Sequence, residues 1–174
     1  MHQIKLIKPT MAYANDIMDY RQEFLDLGDS LDGCGSLRAC STAEEWIRDL
    51  VMLESLDTCP KDKVCSDTYL AIRLSDDSIV GIIDFRHHIN HPILGVWGGH
   101  IGYSVRPKER RKGYATEMLK QILVKCRLHG LEKVLVTCNN DNVASKKTII
   151  ANGGIYENTV LVEGDKKERY WINL

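Results

Sequence analysis

Apolar positions along the chain follow two periods, near 3.6 and near 2, in alternating blocks. Gln3–Lys8 predicts a first strand, stopped by Pro9. A helix follows with Thr10 as its cap: Tyr13, Ile17, Tyr20, Phe24 and Leu27 recur at spacings of four and three and make one apolar face. Gly28–Ser36 is polar and rich in glycine, so it predicts a loop. A second helix starts at Ser41, with Glu44 three residues on as a capping box. Trp46, Leu50 and Leu53, with Ile47 and Val51, give it a broad buried side. Thr68–Leu74 and Ile79–Arg86 predict two strands joined by the turn Ser75-Asp76-Asp77-Ser78. His100–Val105 predicts a third, closed by Pro107. From Gly113 to about Leu128 runs a strongly amphipathic helix whose core face is Ala115, Met118, Leu119, Ile122, Leu123 and Cys126. The strand Lys133–Cys138 comes next, then a short helix from about Asn142 to Ala151, ended by Asn152-Gly153-Gly154. Ile155–Val162 and Glu168–Ile172 close the chain as a hairpin around Gly164-Asp165. The order is βααβββαβαββ, which predicts an α/β fold, a mixed sheet with helices on both faces.

Composition narrows this only slightly. A length of 174 residues suits one domain spanning 1–174, and 44% hydrophobic residues are enough for a core. The net charge of −1 gives no overall basicity to attract nucleic acid or a membrane surface. No apolar run approaches the roughly 18 residues of a membrane span. The start, Met1-His2-Gln3-Ile4-Lys5, lacks the apolar stretch of a signal peptide, so the expected compartment is the cytoplasm. Cys34, Cys40, Cys59, Cys65, Cys126 and Cys138 contain no CxxC pair, and their C-x5-C spacings are poor zinc patterns. Most read as small core hydrophobes. His87, His88 and His91 invite a metal reading, but adjacent strand residues point to opposite faces, so no metal site is expected.

The chemistry is concentrated in Val105-Arg106-Pro107-Lys108-Glu109-Arg110-Arg111-Lys112-Gly113-Tyr114-Ala115-Thr116. This stretch joins a strand to the strongest helix of the chain. Unpaired amides and the positive end of the helix dipole favour an anion there. Gly113 lets a ligand approach the backbone, Ala115 is small, and five basic residues (Arg106, Lys108, Arg110, Arg111 and Lys112) surround the spot.

Here the sequence resembles the GNAT superfamily of N-acetyltransferases. Arg110-Arg111-Lys112-Gly113-Tyr114-Ala115 matches its [Gln/Arg]-x-x-Gly-x-[Gly/Ala] signature, and Val105-Arg106-Pro107 matches the Val-x-Pro before it. Asn142-Val143-Ala144-Ser145, followed by Asn152-Gly153-Gly154, resembles a later family segment in which an Asn opens a helix. The resemblance covers nearly the whole chain. It implies a mostly antiparallel central sheet splayed at two central strands, and acetyl-CoA as cosubstrate. Amides from Arg111 to Thr116 would hold the pyrophosphate, helped by the charge of Arg110, Arg111 and Lys112. Main-chain groups near Tyr103, Ser104 and Val105 would pair with the pantetheine arm. Asn139 or Asn142 would hydrogen-bond that arm, with Ser145 nearby, although Asn142 equally reads as a helix N-cap. The implied reaction is direct transfer to a primary amine of a small molecule or peptide; a homodimer is a possible assembly.

Acetyl transfer requires the amine to lose a proton, an oxyanion to be stabilised and, in some enzymes, the thiolate to gain a proton. Many family members carry a Tyr seven residues after the helix-opening Asn as that acid; here the position is Ile149. Tyr103, Tyr156 and Tyr170 are the nearby tyrosines, and Tyr170 is the candidate acid. His100, with its ordinary pKa near 6.5, is the first candidate base, and Asp84, which interrupts an apolar strand, is the second. Glu157 is a third. Trp46, Trp97 and Trp171 are candidates to line an acceptor site. The missing tyrosine keeps an alternative open: a non-enzymatic module that senses CoA or another phosphate ligand.

Overall fold

The computed structural model describes residues 3–174; the N-terminal reading at Met1 and His2 lies outside them. Seven strands form two sheets. In the first, β1 (Ile4–Ile7), β2 (Ser66–Arg73), β3 (Ile79–Arg86) and β4 (Ile101–Val105) lie in sequence order. In the second, β7 (Asp165–Asn173) lies between β5 (Lys133–Asn139) and β6 (Ile155–Val162). Every pairing is antiparallel. The predicted element order holds throughout.

Helices cover both faces. On one side, α1 (Ala14–Leu27) and α2 (Ala43–Leu53) bury Ile17, Tyr20, Phe24, Trp46 and Leu50 against Leu70, Ile72 and Ile82 of the sheet. On the other, α3 (Tyr114–Leu128) and α4 (Val143–Ala151) bury Met118, Leu119, Ile122 and Ile149 against Ile83, Val134 and Val136. Alternate residues of one strand serve opposite cores, as β3 shows with Ile82 and Ile83. Leu27 and Val51, placed on apolar faces by the periodicity, are instead exposed at 60% and 56%. The cap of α2 is shifted by one residue: Thr42 Oγ1 accepts from the Glu45 amide, and the Glu45 carboxylate reaches back to the Ser41 amide. All six cysteines are free, and five are buried, consistent with small core hydrophobes.

The feature that positions the site is a gap. β4 and β5 run side by side without forming a ladder. At one end His100 joins them. Its amide donates to the Leu135 carbonyl at 2.8 Å, and the Leu135 amide donates to His100 Nδ1 at 2.9 Å. Beyond this pair the strands part.

Candidate active site

β4 pairs with β3 through its even-numbered residues: Arg86 donates to the His100 carbonyl and Arg106 to that of Val80, and the antiparallel alternation places Gly102 and Ser104 between them. The N–H and C=O groups of Ile101, Tyr103 and Val105 therefore face the gap. Of the stretch expected to receive a pantetheine arm, Tyr103 and Val105 offer free-edge backbone, whereas Ser104 is tied to β3. The Ser104 side chain is buried, taking a hydrogen bond from Tyr20 at 3.0 Å.

At the far end of β4, Arg106 enters a short turn, Pro107–Glu109, and the chain then reverses into α3. Arg111 has φ +66° and Gly113 φ +86°, two left-handed residues that curl the backbone into a concavity of amides. Among the described residues no carbonyl accepts from the amides of Arg111, Lys112, Gly113, Ala115 or Thr116. A Cβ built on Gly113 meets nothing within 4 Å, so the space above it is open. Unspent amides, the positive end of a 15-residue helix and an open approach together suit a pyrophosphate.

The basic residues of this stretch divide sharply. Arg106 does not serve the loop. It is buried and turned the other way, bonded to Asp16 at 2.7 Å, Glu23 at 2.9 Å and the Ile79 carbonyl at 3.0 Å, so it anchors α1 to the sheet. Lys108 also pairs with Glu23. Lys112 is held by Glu109 at 2.9 Å and Arg110 by Asp29 at 2.7 Å. Arg111 is exposed and carries no ion pair among the described residues.

Gap and loop open into one cleft of about 930 Å³. Its walls include Tyr103, Ser104, Val105, Arg110, Arg111 and Gly113 through Thr116, together with Asn139, Asn142 and Ser145. Lys112 is the expected cofactor residue that lies off its walls. Asn142 Oδ1 accepts from the Ser145 amide at 3.0 Å, so it is an N-cap at the cleft edge. Asn139 Oδ1 takes a hydrogen bond from Lys167. A second depression, of about 610 Å³, lies beside α1 and has Asp16, Glu23, Asp26 and Asp76 in its walls. Its negative charge repels phosphates.

The three expected catalytic residues all stand outside the cleft walls. The geometry also works against a base role for His100. A backbone N–H can only donate, so Nδ1 is committed as an acceptor, and the neutral ring carries its proton on Nε2. Burial, with the charges of Arg86 and His88, pushes this ring down to about 4. Asp84 is buried, takes the Thr68 hydroxyl at 2.9 Å and lies 3.4 Å from Arg86. Tyr170 packs in the core and donates to Glu168. Burial and that carboxylate push its hydroxyl well above the ordinary value. Glu157 pairs with Arg169.

Other polar groups line the cleft. Tyr103 reaches across the gap from β4 to α4, its hydroxyl 2.8 Å from that of Ser145. That contact is one helical turn before Ile149, which is buried in the core. Burial holds the Tyr103 hydroxyl up at about 12. Cys138 also lines the cleft, and burial raises it to about 11, so it stays a thiol at neutral pH. Asp32, in the loop after α1, is a cleft carboxylate with no ion pair among the described residues; Ser30 donates to it at 2.9 Å. Arg86, Trp97, Thr137 and Lys167 complete that end of the cleft.

His87 is taken up elsewhere, bonded to Asp67 at 2.8 Å and stacked on His129 with ring centroids 4.2 Å apart. Among the described residues no three His, Cys, Asp or Glu side chains group to hold a metal, and no helix is long and apolar enough to cross a membrane.

Comparison with known proteins agrees with this geometry. No curated protein sequence matches the chain. Among solved structures, RimJ from Mycobacterium smegmatis, in complex with a CoA disulfide, superposes with a TM-score of 0.69 at 17% identity, over 98% of this chain and 81% of that one. The ribosomal-protein-S5-alanine acetyltransferase from Vibrio fischeri gives 0.67 at 17% identity, over 99% and 92%. The microcin C7 self-immunity acetyltransferase MccE, in complex with acetyl-CoA and AMP, gives 0.64 at 16% identity, over 99% and 93%. These likenesses establish a shared fold. Residues 18–154 match the model of the acetyltransferase (GNAT) domain, and the chain belongs to that family.

Proposed function

We propose that the protein is an acetyl-CoA-dependent N-acetyltransferase acting on a primary amine of a small molecule or a peptide. The observation that carries this reading is one continuous cleft. It joins a nest of unspent amides at Arg111–Thr116 to a bare backbone edge on β4. The amides and Arg111 would hold the pyrophosphate, and the Tyr103 and Val105 backbone would pair with the amide-bearing arm. Structural neighbours described as complexes with CoA or acetyl-CoA support that placement. Acetyl-CoA supplies an activated thioester when bound.

The chain's own residues then divide the work. Asp32 draws the ammonium of the acceptor and takes its proton, directly or through water. The paired hydroxyls of Tyr103 and Ser145, at the middle of the gap, donate toward the departing sulfur. Cys138, held as a thiol, is a poor nucleophile, which favours direct transfer over an acyl-enzyme. Asp84 and His100 act as positioning residues, one beside Arg86 and the other at the join of β4 and β5. Nothing in the fold or the comparisons favours the non-enzymatic sensor. Neighbours described as acting on ribosomal proteins make a peptide N-terminus a reasonable acceptor beside small amines. A cytoplasmic setting suits the six free cysteines.

The test is release of free thiol from acetyl-CoA in the presence of a panel of amines and peptides. Amine-dependent release supports the reading. The absence of acetyl-CoA binding at millimolar concentration overturns it. Ser145→Ala is expected to lower kcat about tenfold with little change in acetyl-CoA affinity.

A further inference from the structure

The acceptor end of the cleft contains a guanidinium that the proposed chemistry does not use. Arg86 ends β3 and lines the cleft, with its side chain 23% exposed. Two of its five N–H groups are hydrogen-bonded, Nη1 donating to the carbonyls of Gly98 at 3.0 Å and Gly99 at 3.1 Å, while Nε forms an ion pair with Asp84 Oδ2 at 3.4 Å. These contacts fix the plane of the group. Nη2 has no hydrogen-bond partner among the described residues, and no side-chain nitrogen or oxygen sealed from solvent lacks one, so Nη2 reaches solvent on a residue that lines the cleft.

Glycine keeps this approach clear. A Cβ on Gly102 would stand 3.2 Å from Arg86 Nη2 and 3.1 Å from the Gly33 amide. The same end carries Lys167 and the Trp97 ring, with Asp32 beside Gly33. Asp84 offsets the charge of Arg86 but leaves both Nη2 hydrogens unspent. A rigid, permanently charged donor is suited to an anion.

Resting on the N-acetyltransferase reading, we propose that Arg86 selects acceptors carrying an anionic group, a carboxylate or a phosphate, near the reacting amine. The amine lies toward Asp32 and the anion toward Nη2 of Arg86. A neutral carbonyl could also accept from Nη2, so the preference for a full charge is the quantity to measure.

The experiment compares acceptor pairs that differ by one charge: an amino acid and its amide, an amino-sugar phosphate and the free amino sugar, and tripeptides with Glu or Gln in second place. At least one pair is expected to favour the anionic member about tenfold in kcat/KM, as one charge-assisted hydrogen bond provides. Which pair responds separates carboxylate from phosphate. In Arg86→Gln that ratio falls to near one, and Arg86→Lys keeps part of it. Because each ratio is internal to one variant, general damage from loosening the Gly98–Gly99 carbonyls cancels. Ratios near one in wild type, or a ratio unchanged in Arg86→Gln, overturn the proposal. If no amine is acetylated, the proposed function fails first. Calorimetry of N-acetylglycine against N-acetylglycinamide on the CoA-loaded protein then reads Arg86 alone, and equal affinities refute its role.

Discussion

The two ends of the cleft are built from different materials. The end proposed to hold phosphate is backbone: consecutive amides, two left-handed residues and a helix start, all within Arg110–Thr116. The end proposed to hold the acceptor is side chains. Asp32 comes from the loop after α1, Arg86 from β3, Trp97 from the turn before β4 and Lys167 from β7. A cradle of amides recognises what every donor of the same cofactor shares, and it tolerates little change. A wall assembled from four distant segments can be altered one residue at a time. On the proposed reading, one cleft separates backbone recognition of the cofactor from side-chain recognition of the acceptor.

The sharpest way to break this comparison is at the backbone end. Gly113→Val puts two methyl groups into the concavity where a phosphate would lie. The chain itself has room for the added Cβ, so the cost to folding is the left-handed backbone alone, about 1–2 kcal/mol. Acetyl-CoA affinity, read by calorimetry, is expected to fall about 1,000-fold, roughly 4 kcal/mol. Unchanged affinity would remove the loop from the site.

The side-chain end is expected to respond differently. Asp32→Asn should lower kcat/KM for the amine about 100-fold while acetyl-CoA affinity stays within a factor of about two. Were both quantities to fall together, Asp32 would belong to the cofactor end and the division would be wrong.

The third effect falls on stability and tests the join between the strands. His100 has its pKa lowered in the folded chain, to about 4 from 6.5. Between those values the unfolded chain binds the proton and the folded chain does not, so stability is lost as pH falls from about 6.5 toward 4. From pH 6.5 to 5 this group alone accounts for roughly 1–2 kcal/mol. His100→Asn keeps an acceptor for the Leu135 amide but cannot titrate. Its denaturant midpoint should fall less steeply over that interval; an identical acid limb would show that His100 does not carry the dependence.

The same division explains what could be read in advance. The phosphate loop is contiguous, so Val-x-Pro, the basic run, Gly113 and the helix period all appear in one stretch of letters. The element order was legible for a similar reason, since each helix and strand advertises its own period. Charge was less legible. Arg106 stands among five basic residues, yet it turns to Asp16 and Glu23, which lie about 90 and 83 positions earlier. The α2 cap missed by one residue because Ser41-Thr42 and Glu44-Glu45 offer two equivalent boxes. His100 reads as a base from its ordinary pKa near 6.5, but its ring partner, the amide of Leu135 across the gap, is not visible in the sequence. Asp32 lies within the predicted loop Gly28–Ser36, and Arg86 is the last residue of the predicted strand Ile79–Arg86. Neither carries a local signal, because what defines them is convergence on a common space.

The join at His100 and Leu135 has a further consequence. A four-stranded leaf and a three-stranded leaf meet there edge to edge, like a book opened on one stitch. Whatever lies between them and pairs with the β4 edge stands where an extra strand would stand. On the proposed reading the cosubstrate serves as a removable piece of the sheet, and each turnover inserts and withdraws a strand-like segment.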